Sequence, residues 1–299
     1  MTVASDSHSN MYGGIGCLGT PIVRTDAAAI WATGRTWWQV PQVVKVEFKG
    51  KLNPGVTGKD VIIALCGILN KDEVLNTAIE FTGEGVASLT VDERLTISNM
   101  TTEWGALAGV FPVDETTLSW IKKQSELLHK WYENNNQINN HENSYSSESN
   151  VKGGWKDRAQ LKRIQGIQNN PIKPDANSHY SACIEIDLST IPPYVSGPNS
   201  VKIATPLPQL TSQHIPIQKA YLVSCVNSRA SDLRQAANVI KESQKKIASS
   251  VEFYVAAASS KIQEEMEKEG VWNTLIQAGA KTLPAGCGPC IGKGFFFRF

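Results

Sequence analysis

Pro284-Ala-Gly-Cys287-Gly-Pro-Cys290-Ile-Gly292 sets two thiols three positions apart in a loop rich in glycine and proline, near the carboxyl end of the chain. C-x-x-C spacing alone is ambiguous, because zinc sites and dithiol redox pairs share it. A zinc ribbon needs a second such pair or a paired histidine motif, and the sequence has neither. A thioredoxin-type pair opens a helix soon after a strand, whereas Gly286, Gly288, Pro289 and Gly292 keep this loop irregular. A third thiol, Cys225 in Val223-Ser-Cys225-Val-Asn-Ser-Arg229, stands at the end of an apolar run and ahead of an amphipathic helical pattern. Three thiolates can hold a cubane iron–sulfur cluster and leave one iron open as a Lewis acid. On spacing alone, cluster, structural metal and redox pair all stay open.

The 299 residues exceed a typical single domain, so two or three domains are expected. A hydrophobic fraction of 41% and a charged fraction of 19% describe an ordinary globular protein. The formal net charge of +1 gives no basic stripe to attract nucleic acid or an anionic membrane. No apolar stretch approaches the length of a membrane-spanning helix. Six cysteines at this length, well short of a disulfide scaffold, suit a reducing compartment. Met1-Thr-Val-Ala runs directly into what reads as a strand end, and Gly294-Phe-Phe-Phe-Arg-Phe299 leaves four aromatics at the other terminus. Such uncovered ends are expected of a piece of a longer protein.

Upstream, Ser5-Asp6-Ser7-His8-Ser9-Asn10 places polar side chains and an imidazole after the short apolar segment Thr2-Val-Ala, where α/β proteins gather ligands. Gly13-Gly14-Ile-Gly16 follows as a turn, without the G-x-G-x-x-G dinucleotide pattern. Gln42 to Gly50 alternates at period two and reads as a half-buried strand. A turn at Asn53-Pro-Gly55 and a cap at Thr57 lead into a helix whose apolar stripe includes Cys66, read as core. Ala78 to Phe81 is a short strand and Thr90 to Ser98 a helix. Asn99 and Glu103 lie four apart, on one face if the helix is continuous, and taken alone read as a solvated or capping pair. Thr116 to Glu133 is helical and then dissolves into an exposed polar tract, Asn134 to His141 and Ser144 to Ser149. Ser181 to Leu188 is a strand followed by a loop at Pro192-Pro193 and Gly197-Pro198. Ala220 to Val223 reads as a buried strand delivering Cys225, Asp232 to Ile240 as a helix, Val251 to Val255 as a strand, and Lys261 to Leu275 as one charged helix. This alternation predicts an α/β fold with largely parallel sheets.

Four stretches, Ser5-Asp6-Ser7-His8, Asn99-Met-Thr-Thr-Glu103, Ser224-Cys225-Val-Asn-Ser-Arg229 and Gly286-Cys287-Gly-Pro-Cys290-Ile-Gly292, resemble in this order the signature segments of the aconitase superfamily. Ser9-Asn-Met-Tyr-Gly-Gly-Ile-Gly16, Ala29-Ile30-Trp31 and Trp37-Trp38 are most similar to its fungal homoaconitase branch. The resemblance weakens in the Asn-rich tract and ends at Gly292. It implies a multi-domain α/β/α fold built around a [4Fe-4S] cluster, with Cys225, Cys287 and Cys290 as ligands. It further implies Asp6, His8 and Glu103 in the acid–base network, Ser7 on a substrate carboxylate and Asn99 near the cluster. In domain terms, residues 1–41 would be the tail of a first aconitase-type domain, 42–180 a second with an insertion near 134–150, and 181–299 a third that carries the ligands.

The implied reaction is hydration of cis-homoaconitate, interconverting homocitrate and homoisocitrate in the α-aminoadipate route to lysine. The resemblance also implies a small tricarboxylic acid as partner, a monomeric protein and a mitochondrial compartment. The family's base serine and carboxylate-binding arginines come from a later region, and another Asp–His pair from an earlier one, so the chain alone is expected to be inactive. Aconitase and the 3-isopropylmalate dehydratase large subunit are the alternatives within the class. A non-catalytic metal- or RNA-binding fragment is the alternative outside it.

Overall fold

The computed structural model describes residues 1–139, 161–287 and 290. The expectations for His141, for Ser144 to Ser149 and for the aromatic tail lie outside the described residues. The chain divides into two compact units, one of residues 1–192 with 198–203, the other of residues 193–197 with 204–299.

In the first unit, β1 (Thr2–Ala4) pairs in parallel with β2 (Gly19–Pro21). The main sheet holds β3 (Val43–Lys49), β4 (Ala78–Thr82), β5 (Ala108–Val110) and β6 (Ala182–Asp187), ordered β5-β4-β3-β6 and parallel throughout. The period-two reading of β3 holds: Val44, Val46 and Phe48 are buried, while Lys45, Glu47 and Lys49 alternate with them. Phe48 stacks on Phe81 with ring centroids 5.5 Å apart, and Phe81 on Phe111 at 4.5 Å, so one aromatic column spans β3, β4 and the segment after β5. β6 opens the segment expected as a third domain, yet it pairs with β3, Val44 opposite Ala182.

Helix Gly58–Ile68 starts where expected, because the Asp60 carboxylate accepts from the Thr57 backbone N–H at 2.8 Å. It buries Cys66 completely; burial pushes that thiol up to about 12, and the nearby Glu103 charge adds to the effect. Helix Val91–Asn99 is capped reciprocally by Thr90 and Glu93. Helix Glu115–Asn139 runs past the expected end at Glu133 and takes in the first part of the Asn-rich tract.

In the second unit, β9 (Lys219–Leu222), β10 (Glu252–Val255) and β11 (Lys281–Thr282) form a parallel sheet ordered β11-β10-β9. β7 (Tyr194–Ser196), inside the stretch read as a loop, pairs antiparallel with β8 (Ala204–Pro206). β9 is only half buried, a correction to the buried strand expected from its apolar letters, since it is the edge of its sheet. The single charged helix expected from Lys261 to Leu275 is two, Ser260–Lys268 and Val271–Gln277. Gly270 divides them at φ 75°, a left-handed conformation that other residues adopt only at a cost. Leu233, Val255, Met266, Trp272 and Leu275 make the core of this unit.

Candidate functional site

The polar loop after β1 is pinned before it reaches any ligand. From Ser9 to Ile15 it winds as a 3-10 helix packed on helix Val91–Asn99 and on β5. A Cβ at Gly13 would lie 1.6 Å from the Gly109 carbonyl oxygen, and one at Gly14 2.6 Å from the Leu95 backbone. Those glycines therefore serve close backbone packing. The Gly13 carbonyl accepts from Phe111 N–H at 2.9 Å, closing the contact.

This packing carries Asp6, Ser7 and His8 to Glu103, which sits on the one-turn helix Thr101–Trp104. His8 Nε2 lies 2.6 Å from Glu103 Oε1, Ser7 Oγ lies 2.8 Å from His8 Nδ1, and the His8 backbone N–H donates to Asp6 Oδ1 at 3.0 Å. The Glu103 hydrogen bond raises the His8 pKa; partial burial opposes it, and the charges of Glu103 and then Asp6 add to it. The other Glu103 oxygen, Oε2, is buried with no hydrogen-bond partner among the described residues. The loop thus holds the His8 imidazole between a carboxylate and a hydroxyl, and the carboxylate favours its protonated form.

Asn99 does not share a continuous helix with Glu103. The helices break at Met100, Asn99 is buried, and its Nδ2 meets the Met11 thioether at 3.6 Å. The solvated or capping reading of that pair gives way to one buried amide and one ion-paired carboxylate. Below them, Arg94 is fully buried and clamped on both nitrogens by Asp114, at 2.7 Å each, with further donations to Leu89 O and Val86 O. Burial works against the Asp114 carboxylate, but the Arg94 guanidinium overrides it and holds the carboxyl below the usual range. The sequence reading missed this pair, which fastens the helix to which the polar loop is packed.

The thiols lie in the second unit. β9 delivers Ser224 and Cys225 at its carboxyl end, at the start of the four-residue helix Ser224–Asn227. Ser224 has φ 89°, strained for a non-glycine residue, and its Oγ accepts from Val226 N–H at 3.2 Å and Asn227 N–H at 3.4 Å. Arg229 Nε donates to the Cys225 carbonyl at 2.8 Å. After β11 the chain runs on alongside the residues that follow β10, with Leu283 N–H on Val255 O and Gly286 N–H on Ala257 O. That course brings Cys287 within hydrogen-bond reach of Cys225; burial pushes the Cys225 thiol up, and Cys287 adds to it. Cys290 closes a turn on Cys287, N–H to O at 3.1 Å. Cys287 and Cys290 are exposed, and among the described residues no three His, Cys, Asp or Glu side chains stand ready around one metal position. No described helix is long and apolar enough to cross a membrane.

A profile of the aconitase family (aconitate hydratase) matches residues 1–154 and 152–295. The chain is 61% identical over 294 residues to a protein of Mycosarcoma maydis named mitochondrial homoaconitase, covering 98% of this chain and 38% of that protein. It is 58% identical over 294 residues to the Yarrowia lipolytica protein of that name, covering 98% and 39%. With the Candida albicans protein the values are 55% over 295 residues, 98% and 40%. The chain therefore spans about two fifths of the length of the curated relatives it matches. The order of the four motifs, the parallel α/β units and the family profile agree, and this chain belongs to the aconitase family.

Proposed function

We propose that this chain carries the proton-donating and cluster-binding parts of a mitochondrial homoaconitate hydratase, which adds water to and removes it from a small tricarboxylic acid. The observation that carries this reading is the His8–Glu103 ion pair at 2.6 Å, flanked by Ser7 and Asp6. Names and compartment follow the relatives, at 55–61% identity in the three cases above.

The donor set fits a [4Fe-4S] cluster in its chemistry. Two soft thiols, Cys225 and Cys287, lie in mutual reach at the carboxyl edge of a parallel sheet, and Cys290 follows on the same turn. Cys225, Cys287 and Cys290 would hold the cluster. When bound, it supplies a Lewis-acidic iron that polarises the hydroxyl to be lost.

The chain's own part is proton placement. Protonated His8 donates Nε2–H to Glu103 and Nδ1–H to Ser7 Oγ, which leaves the Ser7 hydroxyl proton to point at a substrate carboxylate. Neutral His8 keeping its Nε2–H instead accepts the Ser7 proton at Nδ1. The charge on one imidazole therefore sets which way Ser7 donates, and it couples carboxylate binding to the availability of the proton that a departing hydroxide takes up. Asp6 holds the His8 backbone in place, and Asn99 stands as a buried amide donor beside Met11.

The test is turnover by the full-length native-gene protein, not by the 299-residue chain alone, purified anaerobically and loaded with iron and sulfide, on cis-homoaconitate, cis-aconitate and isopropylmaleate. Fastest hydration of cis-homoaconitate is expected. Faster turnover of either other acid, or of none, overturns the assignment.

A further inference from the structure

Glu103 stands on a helix of one turn, too short to hold its own place by backbone bonds. Its position must come from tertiary anchors. One is Trp104, whose Nε1 donates to Leu69 O at 3.0 Å. Another is Asn10, 1% exposed, whose Nδ2 donates to Thr101 Oγ1 at 2.8 Å and to Ala106 O at 3.3 Å. The Thr101 hydroxyl spends its own proton on Ser98 O at 2.8 Å, so the lone pair facing Asn10 has a fixed direction. Thr101 is itself fully buried.

Asn10 follows His8 by two residues, and Thr101 precedes Glu103 by two. A single buried bond between side chains thus ties the two backbones beside both partners of the ion pair. Thr102 Oγ1 adds an exposed tie to Ser7 O at 3.2 Å on the other side. We infer that Asn10 is a positioning residue, whose bond to Thr101 fixes the separation of His8 Nε2 from the Glu103 carboxylate. A loss of alignment at that contact is costly, because proton donation depends on geometry at the scale of an ångström.

This inference rests on reading His8 and Glu103 as the acid pair, but its test needs no substrate. The charged groups facing the imidazole are Glu103 on the short helix and Asp6 on its own loop. If the clamp is lost, Glu103 withdraws while Asp6 stays, and the His8 titration falls towards the ordinary imidazole value of 6.5.

The His8 imidazole of the purified chain is titrated by NMR, its resonance assigned with His8→Gln. Asn10→Ala and Thr101→Val should move the midpoint down. Thr101→Ser, which keeps the hydroxyl, should stay at the wild-type value, as should Ile62→Val, a core control that lowers thermal stability without touching the loop. A wild-type midpoint in folded Asn10→Ala and Thr101→Val overturns the inference. So does an equal shift in Ile62→Val, which would make the bond merely structural. Should Asn10→Ala not fold, the Thr101→Val and Thr101→Ser pair decides alone. Absence of hydration of all three acids by the full-length native-gene protein, alongside the expected titration shifts, would refute the hydratase reading and leave the clamp standing.

Discussion

The two halves of the proposed chemistry are prepared to different degrees. The polar loop of Asp6, Ser7 and His8 is fitted backbone to backbone on its neighbours through Gly13 and Gly14, and it meets Glu103 across a short ion pair. The thiol region brings Cys225 and Cys287 together but leaves Cys287 and Cys290 exposed. Acid–base groups work by alignment, which rigid packing supplies in advance. Thiolate ligands are gathered by the bonds they make, so part of their order can wait for the metal.

The largest effect should come from breaking the half that is gathered last. Cys225→Ser should abolish the broad brown absorbance and the bound iron after anaerobic reconstitution while the far-UV circular dichroism of the chain is retained. Unchanged iron content would mean that the three thiols do not act together.

The pre-packed half is attacked at its anchor. Asp114→Ala strands a fully buried guanidinium and should cost about 3 kcal/mol in urea unfolding, the low end for such a loss because Asp114 is part exposed. A change within the error of the urea midpoint would show that the remaining Arg94 bonds suffice.

The smallest effect is a dependence on pH. The folded pKa of His8 lies above its ordinary value, so the stability gained from the Glu103 pair is complete below about 6.5 and fades as pH rises through the folded value. The difference in urea midpoint between wild type and His8→Gln should therefore be greatest at acidic pH and shrink towards alkaline pH. A difference that is flat or grows with pH would contradict the protonated state assigned to the imidazole.

Local patterns in the sequence foretold what local physics decides. The alternation in β3, the cap at Thr57 and the burial of Cys66 all follow from period and side-chain type. What failed depended on neighbours distant in sequence or on a single backbone conformation. β9 reads as buried from its apolar letters, yet it is an edge strand. The charged helix after Ser259 reads as continuous, yet Gly270 adopts a left-handed turn and splits it. The four motifs single out the proposed site residues but not how they are held: the bond from Asn10 to Thr101 crosses 91 positions, and no local pattern reports such a pairing. Nor does anything between Ser98 and Thr101 signal that the helix breaks at Met100, which gives Asn99 and Glu103 separate surroundings.

Ser224 shows where the second unit keeps its tension. Its backbone, in a region costing of order 1–3 kcal/mol, immediately precedes Cys225, and its hydroxyl compensates in part by tying down two following amides. The bend just before Cys225 is thus already made by the polypeptide itself. On the proposed reading, an arriving cluster finds one of its three attachment points sprung into place and has only the other two left to recruit.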